Sequence, residues 1–368
     1  MNTISAVDAV REWKNYKDKP NTNIIIGPDL SGLVDMLSYC LASEHIEQPT
    51  RISAIIEKLH QKLWLQNGYR WIVTNSRQLE DEDILLAHSE QYLNDFLTIE
   101  QGQQLTEVNC LPNVCNVRQY HELAKATRAA GGTILELVSQ VLVCKTALYG
   151  IGIVRPPGHH CTVVQSGGNG VINNVAICAK WISKHLNLKV IILDWDIHYC
   201  GGTTEILRNG NSLTDDVNLT IDPNIYLIDV FGARGQEIKE YARSKGRKWL
   251  PIEYAQNACF INVNEIKFPF KQNNKNEIIG DDVYLVEVWK EIELQINTFG
   301  PDVLLISCGL DGALGDDEGF GLTPNGYYQL TQKCKKVMKT KPIIVALEGG
   351  YKQHIMAECM CEIVKALC

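Results

Sequence analysis

The run Asp194-Trp195-Asp196-Ile197-His198 sets two carboxylates and an imidazole at alternate positions, directly after the apolar stretch Val190-Ile191-Ile192-Leu193. Successive side chains of a strand point to opposite faces, so Asp194, Asp196 and His198 can line one face together. Charged side chains are seldom buried without a partner or a metal, and Asp with His at this spacing reads as half of a metal site. Asp311, which follows the apolar run 303–307 and Cys308-Gly309-Leu310, offers a third ligand. Three N/O ligands with a position left open suit a catalytic zinc, which would polarise a carbonyl and acidify a water. Hydrolysis of an amide then needs a proton acceptor and donor, and His159 and His160 follow a rigid Pro156-Pro157-Gly158 turn. The tetrahedral oxyanion needs a hydrogen-bond donor, for which Tyr351 stands ready after Gly349-Gly350. Asp194, one pleat before the ligand pair, is suited to fixing a histidine tautomer from behind. Each element alone has a plainer explanation: a structural histidine pair, a turn with a packing aromatic, or Asp311 as a helix N-cap. Their common position on the strands argues for function.

Those strands are short, continuously apolar runs at 23–26, 150–154, 190–193, 302–307 and 342–347. Between them lie segments of helical periodicity, 49–65 and 120–142, the first with Ile52, Ile55, Ile56, Leu59 and Leu63 on one face. Gly131-Gly132 interrupts the second and marks either a break or a close contact. Apolar strands alternating with helices predict an α/β fold: one three-layer α/β/α domain around a mainly parallel sheet, residues 21–368, behind an N-terminal extension over 1–20. Such sheets bind ligands beyond the carboxyl ends of their strands. Four of these runs end in candidate groups: Arg155 to His160, Asp194 to His198, Cys308 to Asp311, and Glu348 to Tyr351.

Composition narrows the classes. The 368 residues are 45% hydrophobic and 21% charged, with a net charge of −8 and dispersed lysines and arginines. Neither a nucleic-acid face nor a polybasic membrane patch is expected, and no apolar stretch is long enough to cross a bilayer. Thirteen cysteines without a secretory signal predict reduced thiols and a cytoplasmic or nuclear setting.

Taken together, the motifs resemble the zinc-dependent histone deacetylase family of the arginase–deacetylase fold, its class II branch in particular. The resemblance runs through most of the chain: residues 44–51 (EHIEQPTR), 87–92 (AHSEQY), 155–160 (RPPGHH), 173–177 (NNVAI), 194–203 (DWDIHYCGGT), 307–327 and 347–351 (LEGGY). It implies Asp196, His198 and Asp311 as ligands of one catalytic Zn2+, His160 as general base and acid, His159 as its electrostatic partner and Tyr351 as oxyanion donor. It also implies a structural monovalent cation, K+, at Asp194 with Thr220 nearby, and a substrate tunnel walled by Phe231 and by Gly168-Asn169. The substrate would be an acetylated lysine of a histone tail or other protein, with chromatin regulation as the setting, or an acetylpolyamine. Glu318, seven residues after Asp311, lies where polyamine deacetylases carry a glutamate; it is otherwise an exposed acid of the Asp316-Asp317-Glu318 cluster.

The departures are specific. Tyr199 and Cys200 replace a His-Gly pair, Gly201 replaces the Asn or Asp that would hold the second dyad histidine, and Asn169 replaces a tunnel aromatic. They motivate a competing expectation, a weakened deacetylase fold serving as a binding or scaffold module. A ureohydrolase on the same fold would need further carboxylates for a second metal, which these segments do not offer. If the missing dyad partner limits turnover, Gly201→Asn should raise it.

Overall fold

The computed structural model describes residues 5–15, 24–40, 45–64, 72–73, 75, 77–102, 117–208, 222–232, 257–263, 280–316 and 321–368. Among the described residues, eight parallel strands form one sheet in the order β2-β1-β3-β8-β7-β4-β5-β6. They are β1 (Ile24–Gly27), β2 (Ile72–Val73), β3 (Tyr149–Gly152), β4 (Val190–Asp194), β5 (Ile225–Phe231), β6 (Ala258–Asn262), β7 (Val303–Cys308) and β8 (Ile343–Leu347). Every residue of β1, β3, β4, β7 and β8 is buried, as expected for strands covered by helices on both faces. The five expected strands are therefore present within a residue or two of their predicted bounds. The four that end in candidate residues are consecutive neighbours, β3-β8-β7-β4, at the centre of the sheet.

The helix predicted over 49–65 runs Thr50–Leu59 and continues as a wider turn over His60–Trp64. The second predicted helix spans Val117–Val138 without a break at the glycine pair. A Cβ at Gly132 would lie 2.0 Å from the carbonyl oxygen of Arg77, so the pair admits a passing backbone rather than ending the helix. In the N-terminal segment, helix Ala6–Asn15 buries Ala6, Ala9, Val10 and Trp13 in the common core, against helix Thr50–Leu59 among others.

Beneath the sheet's carboxyl edge lies a fully buried ionic cluster. Arg155 makes a forked pair with Glu47 at 2.8 and 2.7 Å, and its remaining nitrogen donates to the carbonyls of Met36 and Tyr39. Arg51 joins Glu47 from the other side at 3.2 Å. Two guanidinium groups share one carboxylate, which with the Tyr39 hydroxyl holds Glu47 below the usual range despite the opposing effect of burial. This cluster ties the segment around Glu47 to the turn that carries the tandem histidines.

A candidate metal and proton-transfer site

The central strands deliver their termini to one cavity of about 350 Å³. It is lined by His159, His160, Asp196, His198, Asp311 and Tyr351, with Gly168 and Asn169 at one wall and half-exposed Ile46 among its lining. Ligand atoms from Asp196, His198 and Asp311 lie within 4.8 Å of one another. His198 Nδ1 is 3.0 Å from Asp196 Oδ1 and 3.1 Å from Asp311 Oδ2. Both carboxylates are buried while the His198 side chain is 39% exposed, which leaves the group open on the cavity side. Two buried carboxylate oxygens and an imidazole nitrogen converging in this way fit a divalent cation with a free coordination position.

Backbone amides fix the carboxylates. Gly349 N–H donates to Asp196 Oδ2 at 2.9 Å, and Ile197 N–H to Asp311 Oδ1 at 3.0 Å. Asp311 thus keeps one oxygen on the protein and turns the other to the group, while Asp196 Oδ1 faces the group and also accepts from His198 N–H at 2.9 Å. Asp194 accepts from Asp196 N–H at 3.1 Å with Oδ1, and from the His159 ring at 3.1 Å with Oδ2. The other ring nitrogen of His159 stands 3.7 Å from Asp196. Burial works against a charge on His159, but the carboxylates of Asp196 and Asp194 hold its pKa well above the ordinary imidazole value. His160, 4.1 Å from His159 between ring centres, moves the opposite way. Burial, then the positive neighbours His159 and His198, keep it well below that value. The tandem histidines are therefore electrostatically unlike, one favouring its proton and the other shedding it.

Tyr351 is set by three contacts. Asp316 Oδ2 accepts from its backbone N–H at 3.0 Å and from that of Lys352 at 2.9 Å. The Arg51 guanidinium lies 5.0 Å from its ring centre. Its hydroxyl oxygen accepts from Asn169 Nδ2 at 3.3 Å.

Of the residues nominated from the sequence, Asp194 and the metal, histidine and tyrosine candidates are thus brought together, and Gly168 and Asn169 join the wall. Phe231 is not there. It is 1% exposed at the end of β5, edge-on to the Tyr199 ring at 5.4 Å, and does not line this cavity. The replacement at Tyr199 supplies its reason: two large rings satisfy each other inside, and Phe260 closes on Tyr199 at 5.9 Å. Thr220 and Glu318 lie outside the described residues.

Three structural contributors were not apparent in the sequence. Glu348 Oε2 accepts from the backbone N–H groups of Gly158 and His159 at 2.7 and 3.2 Å and so holds the histidine turn. Asp316 fixes the tyrosine turn, and Arg51 braces it. A carboxylate directly after an apolar strand was the available signal for Glu348; Asp316 and Arg51 act across the chain and left none.

A model of the histone deacetylase domain matches residues 45–367. The chain belongs to the histone deacetylase family. It is 28% identical over 331 residues to histone deacetylase 6 of Caenorhabditis elegans, covering 87% of this chain and 32% of that protein. It is 28% identical over 325 residues to polyamine deacetylase HDAC10 of Danio rerio, covering 88% and 44%. The chain therefore spans less than half the length of either relative. The crystal structure of the HDA15 HD domain shares the fold with a TM-score of 0.73 at 23% identity, over 94% of this chain and 90% of that one. Histone deacetylases are generally zinc-dependent, and the Asp196, His198 and Asp311 group is compatible with that metal. No described helix is long and apolar enough to cross a membrane.

Proposed function

We propose that this chain is a zinc-dependent amidohydrolase that removes acetyl groups from N-acetyl-lysine side chains of proteins, histone tails among them. One observation carries the reading: the three-ligand group opens into the same cavity as the tandem histidines and the Tyr351 hydroxyl. The catalytic unit is residues 21–368, with helix Ala6–Asn15 packed on it.

Asp196, His198 and Asp311 would hold the zinc, which when bound supplies Lewis acidity to the acetyl carbonyl and to the attacking water. His160 takes the water's proton and returns it to the departing lysine amine. His159, paired with Asp194, favours its proton and stabilises the negative charge that develops beside it. Tyr351 donates its hydroxyl to the carbonyl oxygen as that oxygen becomes an alkoxide, so its contribution grows from ground state to transition state. The products are acetate and the free amine. A structural potassium ion beside Asp194 belongs to the same reading. Asp229 pairs in register with Asp194 on the neighbouring strand, and its Oδ1 is buried without a hydrogen-bond partner in the described structure. A reducing compartment, cytoplasm or nucleus, suits the free thiols among the described cysteines.

A second substrate class, the acetylpolyamines, is favoured by one feature: Asn169 gives the cavity wall a polar side chain. Acetate release from an acetyl-lysine peptide and from N8-acetylspermidine, measured in parallel with zinc-loaded protein, separates the two. Release abolished by a chelator and cut to a small residual rate by Tyr351→Phe supports the hydrolase. Stoichiometric zinc without release from either substrate would overturn it in favour of a binding or scaffold module.

A further inference from the structure

We propose that Asn169 is a positioning residue for Tyr351: its carboxamide occupies the hydroxyl's acceptor side, leaving the phenolic proton for the substrate carbonyl. This rests on the deacetylase reading and concerns how the chain works with Asn169 in its cavity wall.

The geometry begins with a tight turn. Gly167 and Gly170 exchange backbone hydrogen bonds at 3.2 and 2.9 Å, and the two residues between them both have positive φ, +54° at Gly168 and +67° at Asn169. That is the pattern of a two-residue hairpin turn in which glycine and asparagine are the favoured occupants. Its tip is seated on His160, because a Cβ at Gly168 would fall 2.0 Å from His160 Cδ2. Only glycine permits that approach. The next side chain, Asn169, then reaches Tyr351, so one turn touches both the proposed base and the proposed oxyanion donor.

The hydrogen-bond inventory gives the direction. A phenol has one proton and acceptor lone pairs, whereas Nδ2 of an asparagine can only donate. With Nδ2 donating at 3.3 Å, the hydroxyl oxygen is the acceptor and its own proton must point elsewhere. The Tyr351 ring and backbone are already fixed by Arg51 and Asp316, so the hydroxyl's orientation is what remains for Asn169 to set. Asn169 Oδ1 has no protein partner in the described structure and is left as an acceptor for an N–H of the substrate. An aromatic ring at 169 could do neither.

Two variants separate positioning from bulk. Asn169→Gly keeps the positive φ and removes the carboxamide. Asn169→Asp keeps shape and turn preference, but a carboxylate only accepts and would draw the phenolic proton toward itself. With zinc-loaded protein, Asn169→Gly should lower kcat about tenfold with little change in KM, the scale of one lost hydrogen bond. Asn169→Asp should lower it further. In a Tyr351→Phe background neither should have any additional effect on kcat. A readout independent of turnover uses metal-free protein labelled at tyrosine Cζ with carbon-13, with the Tyr351 resonance assigned by its loss in Tyr351→Phe. That resonance should move in both Asn169 variants. Unchanged kcat and an unmoved resonance in an active parent would overturn the role of Asn169 alone, as would equal losses with and without the Tyr351 hydroxyl. A parent that releases acetate from neither substrate would overturn the hydrolase reading itself, while the resonance still reports whether the contact exists.

Discussion

Arg51 Nε donates to the carbonyl oxygen of Gly350 at 2.7 Å, linking the helix Thr50–Leu59 to the turn that presents Tyr351. The same guanidinium donates to the Glu348 carbonyl at 2.5 Å and pairs with Glu47, and its side chain is fully buried. A single lysine ammonium cannot match that planar fork. Arg51→Lys and Arg51→Leu should therefore both destabilise the protein, the second by about 3–5 kcal/mol, because two carbonyls and part of a buried carboxylate lose their donor. Urea denaturation measures this directly. Turnover should fall as well, through Tyr351, and an Arg51→Leu protein of parental stability would contradict the assignment.

His88 gives the fold an acid-sensitive joint. Its Nδ1 lies 2.8 Å from the Thr162 carbonyl and its Nε2 accepts from Asn173 N–H at 3.0 Å. A carbonyl only accepts and an amide N–H only donates, so both contacts are satisfied by the neutral ring protonated at Nδ1 alone. Burial lowers the pKa from 6.5 to about 4. The folded value lies below the unfolded one, so this stability is whole above pH 6.5 and is lost as pH falls from there toward 4. The loss approaches about 3 kcal/mol. In His88→Gln, which keeps a donor and an acceptor, the stability deficit measured at pH 7.5 should shrink steadily toward pH 4.5. A deficit independent of pH would mean that His88 titrates normally in the fold.

Asp311 makes metal-free and metal-bound stability respond in opposite senses. Without a cation, its carboxylate and that of Asp196 converge on one imidazole nitrogen, and the burial of Asp311 beside Asp196 pushes its pKa up to about 6. Asp311→Asn removes the repulsion while keeping an acceptor for Ile197 N–H. At pH 7.5 the metal-free variant should melt no lower than the metal-free parent. Its zinc affinity, by titration calorimetry, should fall by more than the roughly 10–100-fold cost of losing a mere outer partner of a ligand. Equal zinc affinity in the two proteins would remove Asp311 from the ligand set.

The sheet's centre was legible because its strands are apolar throughout and end abruptly in polar groups, as at Leu193 before Asp194 and Leu347 before Glu348. β5 was not, since Asp229 interrupts an otherwise apolar run, and β2 is only two residues long. The ligands and tandem histidines were legible for a local reason: they sit within a few residues of their strands. Arg51, Asp316 and the Asn169 bond to Tyr351 are set by the meeting of distant segments, which residue spacing cannot express. Phe231 lies outside the described cavity, buried edge-on to the Tyr199 ring, a pairing of distant residues that spacing likewise cannot express.

Gly201 shows how one such departure depends on another. A Cβ added there would lie 3.2 Å from Tyr199 Cε1 and 3.4 Å from Cδ1, so any side chain must push that ring. The ring is held among Phe231 and Phe260 and cannot yield without disturbing them. Gly201→Asn alone, expected from the sequence to raise turnover, should instead cost about 1–3 kcal/mol of stability through overpacking and give no gain. Paired with Tyr199→His, which withdraws the ring that a Cβ at 201 would meet, the asparagine has room. The double variant should then exceed the parent in kcat while each single variant does not, a coupling that a double-mutant cycle reads directly. Additive effects of the two substitutions would mean that the tyrosine and the glycine are independent replacements, and that the aromatic ring does not stand in the space a dyad partner would need.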